Sequence, residues 1–272
     1  MCWLDCERSL GLHSEAAGAG PLAKQEAQRH GGNAAMSIQD WVIRLSERGS
    51  APHIPEYVMK LFEFGPTRSI RARWTLQELG IDFEAITVNL LAGEHRRPDF
   101  LRFNPAGKVP ALVDDDLVLT ESVAIALYLA DKYPAKGLAP TDLELRAQLN
   151  RWLLFTVTEL EQPLWRITRH TNLYPEDRRL PGDVALAREE FTAMASVIDA
   201  HLRGKPFVIT DSVTIADFVL AYTLDWASVV NLLDEFPQLH AYMERMYSRP
   251  YAPPRIAEAF ARLKVARFEP ER

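Results

Sequence analysis

The sequence predicts an α+β protein: a domain built on a mixed four-stranded sheet with helices, followed by an all-helical domain. Three observations carry that prediction. Tyr57 to Val88 reads strand, helix, strand within about thirty residues, the βαβ unit that makes a parallel pair with a right-handed crossover. Two short apolar runs, Pro110–Val113 and Leu117–Leu119, flank the acidic turn Asp114-Asp115-Asp116, a spacing that suits an antiparallel hairpin. Beyond Leu143 the periodicity is helical, and no run reads convincingly as a strand.

Taken in order, residues 1–56 form an N-terminal extension. Residues 1–35 are rich in Ala, Gly, Ser, His and charge without a sustained period, and read as disordered. In Ser37–Arg48, Ile38, Trp41, Val42 and Leu45 fall at i, i+3, i+4 and i+7, the apolar face of a short helix. Gly49–Pro55, with two prolines, is a linker.

Residues 57–135 form the sheet domain. Tyr57–Phe64 (YVMKLFEF) is a buried strand of β-forming residues, and GPTRS is a turn. Ser69–Gly80 is a helix ended by Gly80, the residue type that takes the left-handed C-cap conformation without strain. Phe83–Val88 alternates as the second strand, Asn89–Pro98 is a polar loop, and Asp99–Phe103 is a helical turn. Pro110 opens the third strand, where a residue without an N–H is tolerated. Glu121–Tyr133 is the closing helix, and PAKGLAPT is a second linker.

Residues 143–265 form the helical domain. Leu143–His170 carries one long helical pattern with Pro163 inside, expected to kink or break it. Asp183–Leu202 follows, then Thr214–Val230, whose TIAD start places a hydroxyl at the N-cap and a carboxylate at N3, a capping box. Pro237–Ser248 and Arg255–Val265 complete it.

The 272 residues are enough for two domains of ordinary size. The net charge of −6 gives no reason to expect nucleic acid or an anionic membrane as a partner. Arg68, Arg71 and Arg73 read as a solvated helix face. Cys2 and Cys6 make neither a disulfide framework nor a metal set, and the start lacks the layout of a secretory signal. Ala216–Leu233 is apolar but broken by Asp217 and Asp225, so it reads as a buried helix, not a membrane span. A cytoplasmic protein in a reducing compartment is the expectation.

The common catalytic motifs are missing: HExxH, Cys/His metal spacing, GxSxG, and the Gly and Ser/Thr that would make AGKV a P-loop. What remains is a binding geometry around NPAGKVPALV (Asn104–Val113) and LTES (Leu119–Ser122). X-Pro is the one bond that takes the cis form at modest cost. A cis Val109–Pro110 bond would turn Val109 outward and offer its N–H and C=O to an extended peptide. Glu121 and Ser122 open a helix, where free N–H groups and the dipole favour a carboxylate. His95 and Lys108 add donor or positive groups nearby in sequence. The implied ligand is a small peptide with a carboxylate at one end and an amino group for Glu121.

The run LLAGEHRRPDFLRFNPAGKVPALVDDDLVLTESVAIALYLADKY closely resembles the glutathione-binding segment of cytosolic glutathione S-transferases, particularly bacterial and theta-like members. PFVITDSVTIADFVLAY resembles the capping-box region of the same family's helical domain, with Thr210 where many members have Gly. The resemblance runs from about Tyr57 to about Phe260, and implies a thioredoxin-like first domain, a helical second domain and a homodimer. It also implies that the Val109 backbone pairs with the cysteinyl unit of glutathione and that Glu121 and Ser122 hold the γ-glutamyl end. Lys108 and His95 match positions that contact the glycyl end.

The family activates the glutathione thiol with a Tyr, Ser or Cys just after the first strand. No Tyr or Cys lies between Val58 and Leu127, so the resemblance points away from the tyrosine and cysteine classes. Lowering a thiol pKa of about 8.5 by about two units takes ~2.7 kcal/mol. Pro66 falls where serine-class members have Ser, which leaves Thr67 as first candidate for the hydroxyl and Ser69 as second. Trp152, Phe155, Trp165 and Tyr222 are candidates for the wall of a co-substrate pocket. The implied activity is conjugation of the glutathione thiolate to a hydrophobic electrophile, without a metal. The alternatives are a glutathione-dependent disulfide or peroxide reductase and a non-catalytic binding module of the same fold.

Overall fold

The computed structural model describes residues 36–37 and 58–266. The expected disordered stretch 1–35, most of the expected helix 37–48 and the linker 49–55 lie outside the described residues.

The four expected strands are present as β2 (Met59–Glu63), β3 (Phe83–Thr87), β4 (Ala111–Asp114) and β5 (Leu117–Thr120). A fifth, two-residue strand, β1 (Met36–Ser37), precedes them in the chain and pairs parallel with β3 at Met36↔Ile86 and Ser37↔Thr87. Ser37 is therefore in a strand, where the sequence pattern placed the start of a helix. The reason is that β3 is otherwise an edge, with a row of backbone groups open to another strand. The sheet order is β1-β3-β2-β4-β5, with β2 and β3 parallel and β2–β4 and β4–β5 antiparallel.

Alternation along β2 divides the packing between two faces. Leu61 faces helix α1 (Ser69–Leu79) and α3 (Ser122–Lys132), joining a core with Ile70, Trp74 and Leu129. Phe62 faces the other way, into a small cluster with Ile86, Val88 and Phe100, the last supplied by the one-turn helix α2 (Pro98–Leu101). The β4–β5 hairpin turns through Asp115 at φ 53 and Asp116. It is pinned to α3 by the buried Asp114 carboxylate, which accepts from Tyr128 Oη and, at 2.5 Å, from Lys132 Nζ.

In the helical half, α4 (Leu143–Phe155) starts at Asp142, whose side chain accepts from Leu145 N at 2.9 Å. The expected break comes as a wide π turn, Thr156–Leu160, before α5 (Glu161–Thr168). Its position follows from Pro163: the ring would strike the carbonyl four residues back, at Glu159, and the wide turn opens the ladder there. A second π turn, Arg169–Leu173, ends this run. Next come α6 (Pro181–Leu202), α7 (Ile215–Val229), α8 (Pro237–Tyr247) and α9 (Ile256–Ala266). Every residue of α7 from Ile215 to Ala227 is buried, which makes it the central helix of this half. Among the described residues no helix is long and apolar enough to cross a membrane.

The two halves share one core. Trp74 of α1 stacks on Phe218 of α7 (centroids 5.1 Å apart) and touches Tyr247 of α8 (4.9 Å). The linker adds Leu138 C=O, which accepts from Ile215 N at 3.0 Å.

Candidate functional site

The ligand edge is built from a loop and a helix start. Val109–Pro110 is cis, and the β2–β4 ladder ends at Phe62↔Ala111, so Val109 lies past the paired stretch. Asn104, buried, shapes the approach: its amide donates to Lys108 O at 2.6 Å and its Oδ1 accepts from Ala106 N at 3.0 Å. Gly107 at φ 60 lets this loop pack on the turn before α2, since a Cβ there would lie 3.0 Å from His95 O. Lys108 is exposed. His95, read from sequence as a loop residue, is only 7% exposed, with Nδ1 buried and unpartnered among the described residues. Burial, helped by the Arg96 charge, holds its pKa below the ordinary imidazole value.

Glu121, the expected first residue of the closing helix, is instead the N-cap of α3, which starts one residue later at Ser122; it sits at φ 67 with its side chain exposed. Ser122 beside it is buried, and its Oγ accepts from Arg71 Nη1 at 3.4 Å.

The hydroxyls of the turn after β2 are engaged with one another. Thr67 Oγ1 donates to Phe64 O at 2.6 Å and lies 2.9 Å from Ser69 Oγ. Thr67 has a single hydroxyl proton, already on Phe64 O, so Ser69 donates in that second pair. Ser69 Oγ in turn accepts from Phe64 N at 3.3 Å. Ser69 is fully buried inside the first turn of α1, and the half-buried Thr67 is the hydroxyl that faces outward from the pair.

The arginines of α1 are not a solvated face. Arg73 is held by two bonds to Glu63, from Nε at 2.8 Å and from Nη2. Arg71, 1% exposed, donates to Glu161 of α5, to Thr223 Oγ1 of α7 at 2.8 Å and to Ser122, with its guanidinium 4.8 Å from the Tyr222 ring. Arg68 donates from Nε to the other oxygen of Glu161 at 2.5 Å and lies 5.1 and 5.2 Å from the rings of Trp165 and Trp226. The helical half covers this face of α1, which no periodicity within α1 could announce. Burial alone would raise the Glu161 pKa, but Arg71 and Arg68 hold it below the usual carboxylate range. One signal was present in the sequence: the N-cap and first turn of α1 carry Arg68 and Arg71 and no acid, against the preference set by the helix dipole.

Of the four candidate pocket residues, Trp165 and Tyr222 lie at these arginines. Trp152 packs in the helical core against Phe155 (5.2 Å) and His201 (4.0 Å). A cleft of about 470 Å³ lined by Gln77, Tyr247, Ser248, Pro253, Arg255 and Arg262 contains none of the site residues. Thr210 closes its loop through its side chain: its hydroxyl donates to Ser212 O at 2.9 Å and accepts from Ser212 N at 3.1 Å.

Comparison with known proteins agrees with this architecture. The family model "Glutathione S-transferase, N-terminal domain" matches residues 57–131, and "Glutathione S-transferase, C-terminal domain" matches residues 177–250. The chain is 38% identical over 152 residues to glutathione S-transferase F9 of Arabidopsis thaliana, covering 54% of this chain and 70% of the relative. It is 33% identical over 190 residues to glutathione S-transferase GST-4.5 of Xanthomonas campestris, covering 69% and 92%. Among solved structures, the glutathione transferase URE2P8 of Phanerochaete chrysosporium, crystallised with oxidised glutathione, superposes with a TM-score of 0.67 at 25% identity, over 81% of this chain and all of that one. With both family domains matched in order on a thioredoxin-like sheet and a helical second half, the chain belongs to the glutathione S-transferase family.

Proposed function

We propose that the protein is a glutathione S-transferase: it binds glutathione, holds its thiol as the thiolate, and lets the sulfur attack an electrophilic carbon of a hydrophobic co-substrate. The C–S bond forms as the leaving group departs with its electron pair, and the thiol proton goes to water. The observation that carries this reading is Glu121, a non-glycine residue at φ 67 held at the start of α3 beside a buried serine. Strain of that kind persists where the surroundings over-determine it, commonly at ligand-binding positions.

In this reading the γ-glutamyl end lies on Glu121 and Ser122, the cysteinyl backbone pairs with Val109, and the glycyl carboxylate meets Lys108 and His95. Thr67 is the hydroxyl that touches the sulfur, and Ser69 holds Thr67 in place. The glutathione-binding domain is taken as 57–135, the helical domain as 143–265, and 1–56 as an extension. Within the family we place the chain among bacterial, theta-like members, outside the tyrosine and cysteine classes. The lack of Tyr and Cys between Val58 and Leu127 supports leaving out those two classes, and the 33% identity to the Xanthomonas campestris relative supports the bacterial placement. A cytoplasmic homodimer completes the proposal. The edge strand β5, with exposed Leu117 and Val118, supports association, and light scattering at micromolar concentration should give twice the chain mass.

The deciding experiment is calorimetry with glutathione, followed by assays with an aryl halide and with a mixed disulfide of glutathione. Binding with turnover of the halide is the expected result. Turnover of the disulfide alone would replace conjugation by reduction, and an absence of binding would remove the reading altogether.

A further inference from the structure

We infer that Arg68, held in place by Glu161 and by the Trp165–Trp226 pair, supplies most of the stabilisation of the glutathione thiolate, ahead of the Thr67 hydroxyl. The inference rests on the glutathione reading above and adds a catalytic residue to it.

Arg68, Arg71 and Glu161 form a cluster with more positive than negative charge. Arg68 and Arg71 share one carboxylate, Glu161, which bonds each through a different oxygen. Within this hydrogen-bonded cluster two cations face one anion, with Glu121 of the ligand edge the further acid that acts on Arg68, and they stand at the N-terminus of α1, an eleven-residue helix whose dipole adds positive potential and whose first turn holds no acid. Arg71 is sealed beneath, its Nε buried and without a partner among the described residues. Arg68 is different: its side chain is 34% exposed, only its Nε is engaged with Glu161, and it directly follows Thr67 in the turn. It is the member of the cluster that can meet a ligand.

Its placement is fixed from several elements. Glu161 of α5 anchors Nε, the guanidinium lies over the edge-on pair of Trp165 of α5 and Trp226 of α7, and the Trp226 ring is itself held by its Nε1–H donating to Thr168 Oγ1 at 3.1 Å. Burial works against the Arg68 charge, but Glu161, with help from Tyr222 and from Glu121 at the ligand edge, holds its pKa above the ordinary arginine value. The guanidinium therefore stays charged at every pH at which a thiol titrates. A cation within about 4–6 Å lowers an acid's pKa by roughly 1–3 units, enough to hold a thiol ionised at neutral pH. The Thr67 hydroxyl can give the sulfur a proton only by releasing Phe64 O.

The test is the pH dependence of thiolate absorbance in the glutathione complex, with kcat/KM for an aryl halide measured alongside. Arg68→Gln should raise the pKa of the bound thiol by about one unit or more and cut kcat/KM at neutral pH about tenfold, with the loss recovered as pH rises. Arg68→Lys keeps the charge and should stay within about half a unit of the wild type. Thr67→Val should also move the pKa by less than about half a unit, and this variant decides the matter if Arg68→Gln does not fold. An unchanged thiol pKa in a folded, glutathione-binding Arg68→Gln protein overturns the inference. So does a loss of rate equal at every pH, or a full-unit change in Thr67→Val. A wild type that binds no glutathione would instead sink the parent reading.

Discussion

At the scale of single residues, Glu121 sets ligand binding against stability. A non-glycine residue at φ 67 costs on the order of 1 kcal/mol that glycine does not. Its side chain is exposed, so the fold gains little from it in return. Glu121→Gly should therefore raise Tm by about 2–4 °C in a thermal melt. The same change removes the carboxylate proposed to hold the amino group of glutathione, a charge-assisted bond worth about 1.5–3 kcal/mol, so calorimetry should show Kd at least about tenfold weaker. If Tm falls and Kd is unmoved, Glu121 is a structural cap and the ligand edge is misplaced. Magnitudes also rank the candidates at the sulfur. A neutral hydroxyl bond nets about 0.5–1.5 kcal/mol, and Thr67 must first give one up. A charge-assisted bond from Arg68, of whose donors only Nε is engaged with Glu161, is roughly twice as strong as a neutral one.

Secondary-structure elements show which features the sequence could announce. The capping box of α7 was legible because its two partners are three residues apart: Thr214 N donates to Asp217 Oδ2 at 2.8 Å as the TIAD spacing implies. The same carboxylate does more than that spacing could tell. Its Oδ1 accepts from Val208 N (2.8 Å) in the preceding loop and from Tyr242 Oη (2.6 Å) in α8, so one buried side chain joins three elements. Asp217→Ala leaves those donors buried without partners and should cost about 3–4 kcal/mol, read from the urea midpoint at an unchanged slope. Asp217→Asn keeps the acceptor that faces Thr214 and should cost roughly half as much. Equal losses in the two variants would mean that the capping bond contributes little. The break before α5 was legible for the same local reason, Pro163 acting four residues back. β1 was not: two residues of strand have no period, and only the open edge of β3 gives them a place. The burial of His95 was equally silent in sequence, because it depends on the Asn104–Lys108 loop folding back over the turn.

At the scale of the molecule, the least legible feature is the one that joins its halves. Arg71 and Glu161 stand ninety positions apart, and the pattern of α1 alone made Arg71 look solvated because the helical half that buries it begins about seventy residues later. The pair also makes stability depend on pH in a defined direction. The folded pKa of Glu161 is depressed by Arg71 and Arg68 below its unfolded value of about 4.3, so its contribution is complete above that pH and is lost as pH falls through the folded value. Removing the carboxylate leaves two arginines against each other at the boundary, one of them sealed from water. Glu161→Gln should therefore cost about 3–5 kcal/mol at pH 7. The difference in stability between wild type and variant should be constant from pH 7 to about 5 and should shrink as pH falls below about 4. Urea titrations of both proteins across that range check the sign. Parallel curves down to pH 3 would mean that Glu161 is no more strongly paired in the folded protein than in the unfolded chain, and the cation cluster would then lack its anchor. Since the same carboxylate fixes Arg68, the inference also reaches the site: Glu161→Gln that stays folded should bind glutathione yet lose rate, because the guanidinium is no longer anchored against the Trp165–Trp226 pair.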